Sequence, residues 1–162
     1  MNSNIAKKTI MRSLGPLALG FSLLLLAGQA SAQTQVTDAW VRATVPGQQS
    51  TGAFMTFTAS NDSKLLSAAS PVARIVQIHQ TVMKNDIMSM HEVKYLSLPE
   101  GKAIKLDPHG YHVMLMNLKA QIKEGDKVPL TLIIENASGE KETFLIQAPV
   151  RALNASDQSQ MN

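Results

Sequence analysis

Cysteine is absent from the 162 residues of this chain. Its absence excludes disulfide bonds, thiolate catalysis, zinc sites with cysteine ligands and the blue-copper type of site, which requires a cysteine sulfur. Methionine, in contrast, occurs nine times. The chain therefore has thioether sulfur but no thiol, and its folded form has to be stabilised by a hydrophobic core without covalent cross-links.

Long apolar runs are also absent, except near the N-terminus. There the chain has basic residues, then an apolar stretch, then small residues: Lys7, Lys8 and Arg12, residues 14–28, and Ala30-Ser31-Ala32. This order is typical of a secretory signal peptide, and the apolar stretch is shorter than the ~20 residues that cross a bilayer. We expect residues 1–32 to be removed, leaving one domain over 33–150 and a polar, flexible tail over 151–162.

Without this leader, the chain has no surplus of positive or negative charge. The leader has three of the fifteen Lys and Arg residues and none of the twelve Asp and Glu residues, so the rest of the chain is balanced. The isoelectric point of about 9.3 belongs to the uncleaved chain. No basic stripe for nucleic acid or for an anionic membrane surface remains. Nucleic-acid binding is therefore excluded, and we expect the processed form not to be embedded in a membrane.

The remaining sequence is typical of a β-protein. Short alternating runs are separated by turn segments such as PGQQST, NDSK and ASGEK, and no segment has a sustained helical period. The predicted strands cover residues 36–45, 52–60, 73–83, 87–98, 103–106, 111–118, 128–136 and 142–150. One helical turn fits residues 118–126. Strands at this spacing predict an all-β fold, either an antiparallel sandwich or a barrel.

The run GYHVMLMNL at residues 110–118 is unusual for a core strand. Alternation places His112, Met114 and Met116 on one face, where a plain core strand would more often have Val, Ile or Leu. If the turn KND closes a hairpin between 73–83 and 87–98, His79 and Met90 join the same sheet. Since His79 lies on the more polar face of its strand, this arrangement suggests a metal site on exposed strand ends.

The spacing His79-x10-Met90-x21-His112-x-Met114 resembles the signature of the PCu(A)C family of periplasmic copper chaperones. The segments ASPVARIVQIH, HGYHVMLMNLK and IKEGDKVPLTLIIE also resemble the family, and the likeness extends over roughly residues 36–150. It implies a cupredoxin-like β-sandwich of Greek-key type without enzymatic activity. It further implies that one Cu(I) per chain is bound by His79, Met90, His112 and Met114.

The same resemblance implies where such a protein works and with what. It implies a periplasmic monomer that carries its ion to the copper centre of cytochrome c oxidase or to the assembly proteins of that centre. Copper-donating and copper-accepting periplasmic proteins would be its partners. The polar tail has no His and only Met161, so we predict no second strong copper site there.

The chemistry of the four side chains agrees with this implication. Thioethers are soft donors that favour Cu(I) over zinc, and imidazoles strengthen a site without adding charge. None of the four has to lose a proton to bind the ion at neutral pH, while acid competes for the histidines near pH 6.5. A donor set without anionic sulfur suits a carrier, because a carrier has to release its ion.

Other residues of the same types have simpler interpretations. We interpret Met116 as core or as support for the site, and Met88 as sheet packing, with an extra ligand or a lid as the alternative. His91 is expected to be solvent-exposed, and His109 to be part of a turn, with a place beside the site as the alternative. Met55 is assigned to the core, as is the single tryptophan, Trp40.

Three other functions serve as alternatives to an oxidase-directed chaperone. One is a general periplasmic copper-binding and homeostasis protein, and another is a metal-free interaction module. The third is an enzyme, which we disfavour because metal-assisted hydrolysis needs a general base near an open metal position. The nearby acids Asp86, Glu92 and Asp107 follow no pattern that links them to the histidines. Multiple turnovers would identify an enzyme, and failure to retain copper would identify the module.

Overall fold

The computed structural model describes residues 34–155, so the predicted leader and the last seven residues of the predicted tail lie outside it. Within this range the chain forms ten β-strands and no helix. The strands are β1 Thr34–Arg42, β2 Ser50–Ala59, β3 Ser63–Ala69, β4 Ala73–Lys84, β5 Ile87–Glu92, β6 Leu96–Leu98, β7 Ala103–Lys105, β8 Tyr111–Leu118, β9 Lys127–Asn136 and β10 Lys141–Arg151. The described part of the chain accordingly has no helix of the length and hydropathy that a membrane crossing requires.

The strands follow one another in the order β5-β4-β8-β2-β1-β10-β9-β3-β6, with β7 also paired to β2. Neighbouring strands are antiparallel except β1 and β10, which run parallel with Val41 beside Val150. This parallel pair joins two halves whose apolar faces share one buried cluster. The predicted all-β sandwich is therefore confirmed.

The shared core follows from alternation along the strands. In β9 every second residue is buried, and Leu130, Leu132 and Ile134 contribute to the same cluster as Val113 and Leu115 of β8. Burying each such side chain stabilises the fold by about 1.5–3 kcal/mol. Met55 of β2 is fully buried among them, as predicted. Packing of this kind stabilises a chain that has no disulfide.

Two strand predictions are wrong. Residues 63–69 form β3, which lies between β6 and β9. The sequence predicted a turn at the start of this segment and no strand in the rest of it. Its serines and alanines have weak strand preference, so its two partners stabilise it rather than its local sequence. The predicted strand 87–98 is two strands: β5 pairs with β4, whereas β6 pairs with β3 in the other half of the sandwich.

The segment that fits a helical turn, residues 118–126, has no helix. After Leu118 it is a loop. Ile122, in the middle of this loop, forms hydrogen bonds with Thr44, which follows β1. The Thr44 N–H donates to the Ile122 carbonyl at 2.8 Å, and the Ile122 N–H donates to Thr44 Oγ1 at 2.9 Å. Ile122 is buried in the core cluster. These long-range bonds, rather than local helical bonds, satisfy the backbone.

A β-bulge in β1 decides where Trp40 lies. Thr37 pairs with Thr56 but Trp40 pairs with Phe54, so β1 has one extra residue in between, and Asp38 adopts a φ of 52°. The extra residue reverses which side chains face the core. Trp40 is buried as predicted, with 1% of its surface exposed, but it packs on Phe54 outside the main core cluster. The prediction that Trp40 is a core residue is therefore confirmed, with its packing partner set by the bulge.

Candidate metal centre

The hairpin between β4 and β5 is closed by a tight two-residue turn. Lys84 pairs with Ile87, and the two residues between them, Asn85 and Asp86, both have positive φ, 51° and 62°. Two successive positive φ values are those of a type I′ turn, whose twist matches that of the flanking strands. The predicted hairpin is confirmed, and its turn sets the register of every pair that follows.

That register brings the predicted ligands to one face. Across β4 and β5, Thr81 pairs with Met90. Across β4 and β8, His79 pairs with His112 and Gln77 pairs with Met114. Directly paired residues project to the same side of a sheet, and so do residues two apart on one strand. All four side chains, His79, Met90, His112 and Met114, thus lie on the same face of three adjacent strands.

The two histidines are direct neighbours. Their ring centroids are 5.9 Å apart and their planes meet at 61°. His79 Nε2 lies 3.0 Å from Gln77 Oε1, and His112 Nδ1 lies 3.4 Å from the Gly110 carbonyl oxygen. When these nitrogens donate to their oxygen neighbours, each ring keeps its other nitrogen as a lone-pair donor. Such contacts orient imidazoles that bind metals.

Exposure differs sharply across the four residues. His112 is only 4% exposed, His79 and Met114 are half-buried, and Met90 is 55% exposed. The expected exposure is therefore observed for Met90, whereas the expectation that His112 is exposed is wrong. An ion on this face would have a buried imidazole on its inner side and an accessible thioether on its outer side.

Burial also affects the charge of His112. Loss of solvent lowers the pKa of its imidazole below the ordinary 6.5, and the positive potential of His79 and Arg42 lowers it further. The Gly110 carbonyl and the negative charge of Asp107 oppose this shift without cancelling it. His112 is consequently neutral at pH 7, with a lone pair available for a metal.

An aromatic ring forms the side of the site next to β2. The ring of Phe54 lies over Gly52, where an added Cβ would come within 2.7 Å of Phe54 Cζ. Gly52 pairs with Met114, and the ring centroid of Phe54 is 6.4 Å from that of His112. Trp40 packs on the same ring at 4.5 Å. The contact between Gly52 and Phe54 was not predicted, although a glycine inside a strand often marks such a close approach.

The sequence did not predict which acidic residues are the neighbours of the two histidines. Glu92 pairs with His79 across β4 and β5, and the charge of Asp107 acts on His112. Within residues 34–155, however, no three His, Asp or Glu side chains gather into a metal-binding group.

The structure also shows where the remaining His and Met residues lie. His91 is exposed and pairs with Gln80 on the opposite face of the hairpin, as predicted. His109 is exposed in a turn, where its N–H donates to Asp107 Oδ1 at 2.8 Å. Met116 is half-buried, one step beyond Met114 on the same face. Met88 is 50% exposed and pairs with Met83 across β4 and β5.

Sequence relatives are consistent with the resemblance. The model of a family described as putative lipoprotein LpqE-like matches residues 34–150. A putative lipoprotein of Leifsonia xyli subsp. xyli is 33% identical over 139 residues, which is 80% of this chain and 81% of the relative.

Solved structures share the fold. Apo-DR1885 from Deinococcus radiodurans is 28% identical, with 94% of this chain and 97% of that chain covered and a TM-score of 0.56. CuI-DR1885 is 31% identical, with coverages of 78% and 83% and a TM-score of 0.55. The apo PCuAC domain from PmoF1 is 20% identical, with coverages of 74% and 94% and a TM-score of 0.60. The predicted cupredoxin-like fold is confirmed. By its sequence and by its fold, this chain belongs to the LpqE-like family and is a protein of the PCu(A)C type.

Proposed function

We propose that this protein is a copper chaperone that binds one Cu(I) through His79, Met90, His112 and Met114. The observation that supports the assignment best is the strand register, in which these four side chains share one face of three adjacent strands. Two thioethers and two imidazoles match the preference of Cu(I) for soft and borderline ligands. CuI-DR1885, a relative of the same fold, adds support for copper as the cargo.

The four donors differ in what they contribute to holding and releasing the ion. His112 is buried beside Phe54 and neutral at pH 7, so it can bind the ion without losing a proton. Met90, on the edge strand, is accessible to a partner. Release then proceeds by ligand exchange, in which an incoming donor replaces Met90 first. The oxidation state of the ion and the protonation of the protein stay unchanged.

A copper chaperone has a cellular location and a protein to which it delivers its copper. We infer export to the periplasm after removal of residues 1–32, and delivery to the copper centre of cytochrome c oxidase or to its assembly proteins. The PCu(A)C resemblance supports this recipient, and the description of the relatives as lipoproteins supports an extracytoplasmic location. Incubating the Cu(I)-loaded chain with the metal-free copper domain of an oxidase tests delivery, and we expect copper to move to that domain.

Copper binding itself is tested by anaerobic titration of the chain without its leader against a chromophoric Cu(I) chelator. We expect the protein to withdraw one equivalent from the chelator. The double variant His112→Ala/Met114→Ala should lose this ability. A matched variant that also loses one His and one Met, His91→Ala/Met161→Ala, should keep it. If the chelator keeps all of its copper when the unmodified protein is added, the chaperone function is refuted.

A further inference from the structure

The tip of the β4–β5 hairpin exposes an unusual amount of methionine. Met83 is 62% exposed and Met88 50% exposed, in addition to Met90. Methionine usually fills gaps in a core, where its flexible side chain removes apolar surface from water. Met83 and Met88 gain only part of that benefit, because half or more of the surface of each stays in contact with water. Core packing therefore does not account for these two side chains.

Met83 and Met88 are direct cross-strand partners. The Val93 N–H donates to the Ile78 carbonyl at 2.9 Å, so residues 78 and 93 form a hydrogen-bonded pair. Hydrogen-bonded and non-hydrogen-bonded pairs alternate along an antiparallel ladder, which makes Met83 and Met88 a pair of the non-hydrogen-bonded kind. The Cα atoms of such a pair are about 4.5 Å apart, close enough for both sulfurs to bind one ion.

This pair lies on the same face as the candidate metal centre. Along β4, Met83, Thr81 and His79 project to one side, and along β5, Met88 and Met90 project to that side too. Successive positions on one face are about 7 Å apart, because each residue advances a strand by about 3.4 Å. The opposite face of the hairpin has Val82, Ser89 and His91 among its residues and no sulfur.

We propose that Met83 and Met88 form a second, weaker Cu(I) site at the tip of the hairpin, from which the ion moves to and from Met90. The inference rests on the proposed chaperone function. On entry the Cu–S bonds to Met83 and Met88 break as the ion forms a bond to Met90 and then to His79, His112 and Met114. On exit the same bonds form and break in the reverse order, and the ion stays Cu(I). No electron or proton moves. Two thioethers alone bind the ion less tightly than two imidazoles and two thioethers, as an entry and exit site requires.

Methionine-methyl NMR tests this proposal directly. The chain without its leader, labelled with ¹³C at the methionine methyl groups, is titrated anaerobically with Cu(I). The first equivalent should shift the signals of Met90 and Met114, and the second should shift those of Met83 and Met88. Buried Met55 serves as an internal reference. The proposal is overturned if Met83 and Met88 do not respond to any Cu(I) beyond the first equivalent.

A variant separates the role of sulfur from that of an apolar surface. Met83→Leu/Met88→Leu keeps the hairpin tip apolar but removes both thioethers. It should bind the first Cu(I) unchanged and lose the second. Ile87→Leu, at an exposed position of the same hairpin, should retain both steps. Loss of the second step in Ile87→Leu as well, or its retention in the double leucine variant, would refute the sulfur site. Failure of Met90 and Met114 to respond would instead refute the chaperone function itself.

Discussion

The two faces of strand β8 differ in what their side chains do. Val113 and Leu115 are fully buried in the core, whereas His112 and Met114 lie on the other face beside donors from β4 and β5. One eight-residue strand supplies both sets because its side chains alternate between its two sides. The comparison indicates that stability and metal binding are separable in this protein, residue by residue, along a single strand.

The largest expected effect comes from the core face. Leu115→Ala removes a fully buried side chain and leaves a cavity, so we expect the free energy of unfolding to fall by about 2–5 kcal/mol. The folded variant should still bind one Cu(I), because the donor face is unchanged. Urea unfolding followed by circular dichroism measures the first quantity, and chelator competition measures the second. Full stability with lost copper would contradict the separation of the two faces.

The converse change removes a donor from the other face. Met114→Leu or Met90→Leu should weaken Cu(I) binding by at least about 10–100-fold. A loss in this range is typical when a residue that only supports a metal ligand is mutated, and the loss of a ligand itself should be no smaller. The free energy of unfolding of the metal-free protein should change little for Met90→Leu, since Met90 is exposed. Met161→Leu is the control for losing a thioether. Equal effects of Met90→Leu and Met161→Leu on affinity would refute the ligand assignment.

A change at Gly52 should affect both properties at once. Gly52→Ala places a methyl group where Phe54 lies, and Phe54 cannot easily move because Trp40 packs against it. We expect a loss of about 1–3 kcal/mol in the free energy of unfolding and weaker Cu(I) binding. Near-ultraviolet circular dichroism of Trp40 monitors the ring displacement. The double variant Gly52→Ala/Phe54→Leu should recover part of the lost stability, and no recovery would mean that the clash lies elsewhere.

The smallest expected effect is the pH dependence of the metal-free fold. The pKa of His112 is lowered by burial, so below its ordinary pKa the unfolded chain binds a proton that the folded chain does not. The free energy of unfolding should therefore fall as the pH decreases from 6.5 toward the lowered value. Urea unfolding at a series of pH values measures this trend. His112→Gln should remove most of this pH dependence below pH 6.5, whereas His91→Gln, at an exposed position, should leave it unchanged. The opposite result would mean that a group other than His112 causes the pH dependence.

Much of the site was predictable from local patterns. The alternation of GYHVMLMNL placed His112, Met114 and Met116 on one face, and the turn KND predicted the hairpin with His79 and Met90. Both inferences depend on residues close together along the chain. The opposition of His79 and His112 was not predictable in this way, because β4 and β8 are distant in sequence and only their register sets the pairing.

The amino-acid sequence by itself determined the strand periodicity, the absence of thiol chemistry and the spaced His and Met donors. Tertiary structure alone decided that residues 63–69 form a strand, that 87–98 divides between the two halves, and that the bulge at Asp38 turns Trp40 toward Phe54. It also buried His112 while leaving Met90 exposed. The physical reason is that periodicity is local, whereas register, bulges and burial depend on the partner strand, which a local pattern does not identify.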